Sequence, residues 1–264
     1  MVAVARWDAP ALGSWLRAAS PSPRDRFDPD SIATLPEPAR RFLTAAIAPG
    51  TPLFGGIRIT MDGEIRLKRA ARFQPMQATQ IIVPPLGMIW EVAMGRGLMR
   101  VKGHDAITPD TSWSAFRLWG VIPVARAGGT ADHFRSSFGR LAADALFWLP
   151  TAFVPRKDAP GAVQWSAPAP DVARMTLRKG PLEQAVDLCF SSSQDTHPSS
   201  CMFDRWSNEN PDRAFRLQPF GGTLSDWRDF GGLTLPTRVE AGNNWGRPEG
   251  FVFFRARVLD AQPF

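Results

Sequence analysis

Residues 128–155, GGTADHFRSSFGRLAADALFWLPTAFVP, are the one long stretch in the second half of the chain with helical period. Phe134, Phe138, Leu141, Ala145 and Trp148 recur at steps of three and four and make a single apolar stripe. Asp132, His133, Arg135, Ser136, Arg140 and Asp144 fall off that stripe. Thr130 is placed to cap the N-terminus after the Gly128-Gly129 turn, and Asp132 suits the positive end of the helix dipole. Pro150 pushes Leu149 out of helical geometry and ends the segment. On both sides lie strand-like runs, so this helix has only sheet against which to bury its stripe. The pattern predicts a helix over Asp132–Phe147 packed on that sheet.

From residue 53 the period is two. Ile57, Ile59 and Met61 alternate with Arg58 and Thr60, and Ile65 and Leu67 alternate with Glu64, Arg66 and Lys68. Asp62-Gly63 between them reads as a hairpin tip. A two-residue turn would set Met61 against Glu64 and Ile59 against Arg66, so the expectation is a three-residue loop or a bulge. Further strands are expected at Met76–Val83, Gly87–Met94, Leu98–His104 and Trp113–Val121. After the helix they follow at Ala162–Ala167, Val172–Arg178, Leu182–Phe190, Cys201–Ser207, Phe215–Leu217, Leu224–Phe230, Leu233–Ala241 and Phe251–Leu259. Helices are missing from most gaps, so the sheet is antiparallel rather than built of βαβ units. About a dozen consecutive strands curl rather than stay flat. The fold class is therefore α+β: a large curled antiparallel β-sheet, a half-barrel, with the central helix on its concave face and helices at the N-terminus.

Residues 1–34 read as an N-terminal arm and linker, with a short helix over Ala9–Ala19 carrying Leu12, Trp15 and Leu16. Residues 35–264 read as a single half-barrel domain. It opens with a helix in which Thr34 and Glu37 have capping-box spacing, Pro38 suits the first turn, and Phe42, Leu43, Ala46 and Ile47 share a face.

Composition narrows the function classes. Ten Trp and eighteen Phe with no Tyr mean that aromatic surfaces here carry no phenolic hydroxyl. The net charge of +6 comes almost wholly from scattered Arg, since Lys occurs only at 68, 102, 157 and 179. No basic stripe interleaves with stacking aromatics, so a nucleic-acid partner is not expected. His104, His133 and His197 sit in no metal-ligand spacing, so neither a metal nor a cofactor is expected. Cys189 and Cys201 face each other across a hairpin or stay as buried free thiols, the second being the default. The N-terminus has no apolar core behind a basic start, and no apolar run approaches a bilayer-spanning length, so the default is a cytoplasmic chain without a membrane span.

Candidate site residues come from the strands that would face the helix. Met88, Trp90, Val92 and Met94 share one face of their strand, and Glu91 points to the other. Glu91 is a solvated charge if the Met/Trp face packs under the helix, and a polar group in an apolar cavity if the sheet closes the other way. Asp226, before Trp227, and Glu240 carry the same ambiguity. Arg117, between Ala115 and Trp119, is an inward cation able to meet a carboxylate, or else snorkels to the rim.

Several motifs taken together resemble a bacterial family of unknown function. Leu35-Pro36-Glu37-Pro38-Ala39-Arg40-Arg41-Phe42-Leu43 resembles its LPxPVRRYL opening, and Pro84-Pro85-Leu86-Gly87-Met88-Ile89-Trp90-Glu91 resembles its PPGFVW strand with one residue extra. Trp148-Leu149-Pro150-Thr151-Ala152 resembles its WFPTA helix end. Pro219-Phe220-Gly221-Gly222-Thr223-Leu224-Ser225-Asp226-Trp227, followed by Gly232, Leu235-Pro236-Thr237 and Glu240, resembles its PWxGxFxDY…PT segment. The departures are Phe or Trp in place of Tyr, Phe220 in place of a Trp, and Asp144 displaced by one from the usual acidic position. The resemblance implies no activity. At fold level the strand order is similar to the lipoprotein-carrier half-barrel, a curled sheet with helices inside that holds acyl chains.

Three functions stay open. The first is a binding module whose hollow takes a hydrophobic or lipid-like ligand, lined by Met88, Trp90, Trp119, Phe138 and Trp148, with Arg117 reading an anionic head. The second is an enzyme in the same cavity, with Glu91 or Asp226 as acid or base. The third is a structural or assembly protein with a filled core. Oligomeric state is not legible.

Overall fold

The computed structural model describes residues 9–20, 23, 25–156 and 161–264. Among them, helices α1 (Ala9–Ala19) and α2 (Glu37–Ala46) precede a six-stranded meander. Its strands are β1 (Ile57–Ile65), β2 (Gln74–Val83), β3 (Gly87–Met94), β4 (Val101–Ile107), β5 (Ser112–Leu118) and β6 (Ile122–Gly128). Helix α3 (Ala131–Trp148) follows. A second meander then runs through β7 (Val163–Ala169), β8 (Val172–Lys179), β9 (Leu182–Cys189), β10 (Ser200–Ser207), β11 (Arg216–Asp229), β12 (Thr234–Asn243) and β13 (Phe251–Pro263).

The thirteen described strands form one sheet in the order β6-β5-β4-β3-β2-β1-β13-β12-β11-β10-β9-β8-β7. All its pairings are antiparallel, and the two meanders meet where β1 pairs with β13. The chain therefore leaves one edge of the sheet at β6 and re-enters at the other edge, β7. Helix α3 makes that crossing inside the curl. At eighteen residues it is about 27 Å long. Its N-cap is Thr130, whose hydroxyl accepts from His133 N–H, and Leu149 leaves helical geometry before Pro150. Phe138, Leu141, Ala145 and Trp148 are buried in the main core, and Phe134 packs half-buried at its margin.

Helix α2 joins the same core through Phe42, Leu43, Ala46 and Ile47. Helix α1 lies on the opposite, convex face, where Leu12 and Leu16 pack with Ile81, Ile89 and Trp113. Phe27 and Ile32 are buried in the main core, so the packing has no break at residue 35. Residues 1–8, 21, 22 and 24 of the expected arm lie outside the described residues. The Thr34–Glu37 capping box is not made: Pro36 is the N-cap without a side-chain bond, and Glu37 pairs with Arg41 at 3.5 Å.

One expected turn and one expected gap between strands are absent. Asp62-Gly63 is not a hairpin tip; β1 passes straight through it, paired with β2 on one side and β13 on the other. The odd-numbered apolar residues of 57–65 stay in phase because they belong to one strand. Gly63 is there for closeness, since a Cβ would lie 2.0 Å from Arg255 O. Likewise Pro219–Gly222 does not divide two strands, and β11 is continuous. A Cβ on Gly222 would sit 1.7 Å from Glu240 O. Conversely, the strand expected over Trp113–Val121 ends at Leu118, and a further strand, β6, follows that was not expected. The outermost, β6, is exposed on both faces and so carries no alternation to read.

Candidate functional site

Between α3 and the concave face of the sheet lies a cavity of about 440 Å³. That is within the range of small-molecule sites, roughly 300–1,000 Å³. It persists because α3 carries a second stripe. His133, Ser136, Ser137, Arg140, Asp144 and Phe147 follow one another at helical steps along the side of the helix that borders the cavity. Short and charged side chains there hold the helix off the strands that Phe138 and Leu141 do not reach.

One wall is greasy. Met88, Trp90 and Met94 of β3 face Phe147 and Trp148 of α3, with Phe203 and Phe220 from β10 and β11. The other wall is polar and organised by Arg140. Its Nη1 donates to Asp105 Oδ2 at 2.6 Å and its Nε to Asp144 Oδ2 at 3.3 Å, while Gln80 Nε2 donates to the same Asp144 oxygen at 2.8 Å. The guanidinium lies 5.0 Å over the Trp90 ring. Burial alone would lower the Arg140 pKa, but the carboxylates of Asp144 and Asp105 outweigh it, and the net direction is up.

Arg205, on β10, is different. It lines the same cavity and makes no ion pair among the described residues. Its Nε is buried without a hydrogen-bond partner, and its guanidinium rests 5.0 Å from the Phe220 ring. Burial first, and the neighbouring Arg140 charge second, push its pKa down to about 10, which leaves it charged at neutral pH. Asp105 and Asp144 compensate it only at a distance, because both are committed to Arg140. Trp90 Nε1 is a second buried donor on the cavity without a partner.

His133 stands where α3 begins. Its Nδ1 lies 2.6 Å from Ser112 Oγ and its Nε2 3.4 Å from Ser114 Oγ. Burial, ahead of the field of Asp105, holds its pKa below the ordinary histidine value, so the ring is neutral at pH 7. In a Ser-His-Asp triad a carboxylate orients the far nitrogen of the imidazole. Here Ser112 occupies that position and Asp105 is held by Arg140. Among the described residues no group of three or more His, Cys, Asp or Glu is arranged to hold a metal ion.

The residues singled out from sequence are distributed as follows. Met88, Trp90 and Trp148 line the cavity. Phe138 lies behind it in the core. Glu91 points to the convex side, next to Thr79 and His104, where burial raises its pKa. The alternation of β5 turns Trp113 and Ala115 to the convex face and Ser114 and Phe116 to the cavity, so Arg117 is outward and exposed. Trp119 is beyond the strand, in the β5–β6 turn with φ 55° and 51% exposed. Arg117 and Trp119 therefore belong to the outer surface and not to the hollow. Asp226 is exposed on β11 and paired with Arg238 at 2.6 Å. Cys189 and Cys201 are free: Cys189 is opposite Ser200 and Cys201 opposite Leu188, so they lie one register step apart.

Sequence reading missed Asp105, Arg140 and Arg205. A signal for Arg205 was present, since Cys201, Phe203, Arg205 and Ser207 share one strand face and only one of them is charged. Arg140 and Asp144 also had ion-pair spacing on a helix.

A crystal structure of a LolA superfamily protein from Nitrosomonas europaea is similar over 79% of this chain and 85% of that one, at 9% identity and a TM-score of 0.40. No curated protein is significantly similar to the chain. The profile of a family of unknown function, DUF6544, matches residues 25–256, and the chain belongs to that family.

Proposed function

We propose that the hollow binds an amphipathic, lipid-like small molecule with an anionic head. The observation that carries this reading is a cavity greasy on one wall whose other wall presents a half-buried guanidinium, its Nε buried without a partner, that makes no ion pair among the described residues. An apolar tail against Met88, Trp90, Phe147 and Trp148 removes surface from water at roughly 25 cal/mol per Å². A carboxylate beside Arg205 accepts from its orphaned Nε–H and reaches the charge that no side chain takes up. Of the carboxylates singled out from sequence, Glu91 and Asp226 do not line the hollow, while Glu240 does and is paired with Arg255 at 3.0 Å.

The test is a titration with dodecanoate and dodecanol, read through Trp90 and Trp148 fluorescence. Native mass spectrometry of the purified protein would show any ligand carried along. Arg205→Gln should weaken the acid roughly ten- to a hundredfold and the alcohol little, as befits one partly shielded charge-assisted contact of about 1.5–3 kcal/mol. Equal loss for both would remove the head-group assignment. No binding of either would remove the reading altogether.

A further inference from the structure

Among the described residues, six of the nine exposed large apolar side chains lie on two neighbouring hairpin tips of the first meander. Leu98 (79% exposed) and Met99 (72%) crown the β3–β4 connection. Trp119, Val121, Ile122 and Val124 continue across the β5–β6 turn into β6. The two tips are tied together: Trp119 Nε1 donates to Leu98 O at 3.0 Å and Trp119 N–H to Arg100 O at 2.8 Å. Trp119 is thus held in place with about half of its surface, 51%, exposed.

The charge on these tips is of one sign. Arg96, Arg100, Lys102 and Arg117 stand on them, and the sequence has no Asp or Glu from 92 to 104 or from 111 to 131. Asp62 borders the same shallow dimple as Arg96 and Arg100 but is already bound by Arg257 at 2.7 Å. Antiparallel pairing also places the β1–β2 connection at this end of the sheet. Leu67, on that connection, is 74% exposed and borders the cavity, with Lys68 next to it. The hollow therefore opens at the end where the apolar and basic tips project.

We propose that this end of the sheet docks on an anionic lipid bilayer. Protruding Leu, Met, Val and Ile side chains enter the acyl boundary, Trp119 sits at head-group level, and the Arg and Lys meet lipid phosphates and carboxylates. A protein partner with an acidic, apolar groove would meet the same chemistry. The bilayer is favoured because the apolar side chains protrude from two loop tips, and because every Arg or Lys standing on those tips is there without an Asp or Glu in the same segments. Docking this way brings the mouth of the hollow to the surface from which a lipid-like ligand comes.

The experiment is co-sedimentation of the full chain with phosphatidylcholine vesicles, with and without about 30% phosphatidylserine, at low and high salt. The expected result is binding to the anionic vesicles that weakens as salt rises. Leu98→Asp, and separately Arg96→Glu with Arg100→Glu, should each reduce it by roughly tenfold or more. All three positions are exposed, so near-ultraviolet circular dichroism should be unchanged. Dodecanoate binding by Leu98→Asp should also be unchanged, which separates this proposal from the reading of the hollow. Vesicle binding indifferent to lipid charge and to these substitutions would overturn it. So would a wild type that ignores vesicles and instead forms dimers abolished by Leu98→Asp, since this face would then be a self-interface built on the open β6 edge.

Discussion

Truncating Phe138 tests whether the stripe of α3 is what holds the two meanders together. The ring is 1% exposed and lies in the main core, and it does not border the hollow. Neither water nor a neighbouring void is available to fill the space it leaves. Phe138→Ala therefore removes the transfer free energy of the ring and adds a cavity cost, together about 3–5 kcal/mol. For a domain of this size that is a fall in Tm of roughly 6–20 °C. Phe134, one turn earlier, is only half-buried, with Lys179 Nζ 5.8 Å from its ring. Water reaches that end of the stripe, so Phe134→Ala should cost about 1 kcal/mol, in line with its smaller burial. Guanidinium denaturation of both variants, at matched m-values, measures the gradient. If Phe138→Ala costs under about 1 kcal/mol, or if the two costs come in the reverse order, the helix is not seated by this stripe and the account of the core is wrong.

Other consequences can be checked with the same apparatus. Gly222→Ala should destabilise by roughly 1–3 kcal/mol, because its Cβ meets Glu240 O at 1.7 Å and β11 and β12 have to part; a neutral variant would show that the strands are not so close. Burial lowers the pKa of His104, His133 and His197 below the ordinary value of 6.5, so the unfolded chain takes up protons first. Their contribution is present above about pH 6.5 and lost as pH falls through the folded values, and the denaturation midpoint should drop between pH 7.5 and 5.5. Glu91, raised above 4.5 by burial, acts in the opposite sense at lower pH. A midpoint that rises on acidification from 7.5 to 5.5 would contradict this, and His133→Asn should flatten the dependence in part.

Architecture was legible where burial on one side imposes a period. Met76–Val83, Gly87–Met94 and the stripe of α3 each have one face in the core, and the expected spans nearly coincide with the observed ones. The reading failed where a residue type has two physical uses. Glycine serves turns, but at Gly63 and Gly222 it serves the close approach of a neighbouring strand. Nothing in the local sequence separates the two. For Arg117 the face was assigned from its neighbour Trp119, which belongs to a turn and keeps no phase with the strand.

The polar wall of the hollow escaped for a deeper reason. Along α3 the sequence divides into apolar and polar stripes, and a polar stripe ordinarily means bulk water. Here Arg140 and Asp144 line the hollow under the sheet, so the same pattern describes the lining of a cavity. The difference lies in partners supplied from far along the chain: Asp105 from β4, Gln80 from β2 and Arg205 from β10. Those partners also explain why the hollow does not collapse. Closing it would press Trp90 and Met88 against Arg205 and strip water from a guanidinium whose carboxylates act only from a distance, at a desolvation cost of several kcal/mol per charge. On the proposed reading, the charge that would meet the ligand's head also resists closure, alongside the polar stripe of α3, and Arg205→Met should show both effects at once. It should lose discrimination between dodecanoate and dodecanol while stabilising the apo protein, because an apolar side chain of similar volume lets the walls close. A variant that loses discrimination but is less stable than wild type would mean that some other feature props the cavity.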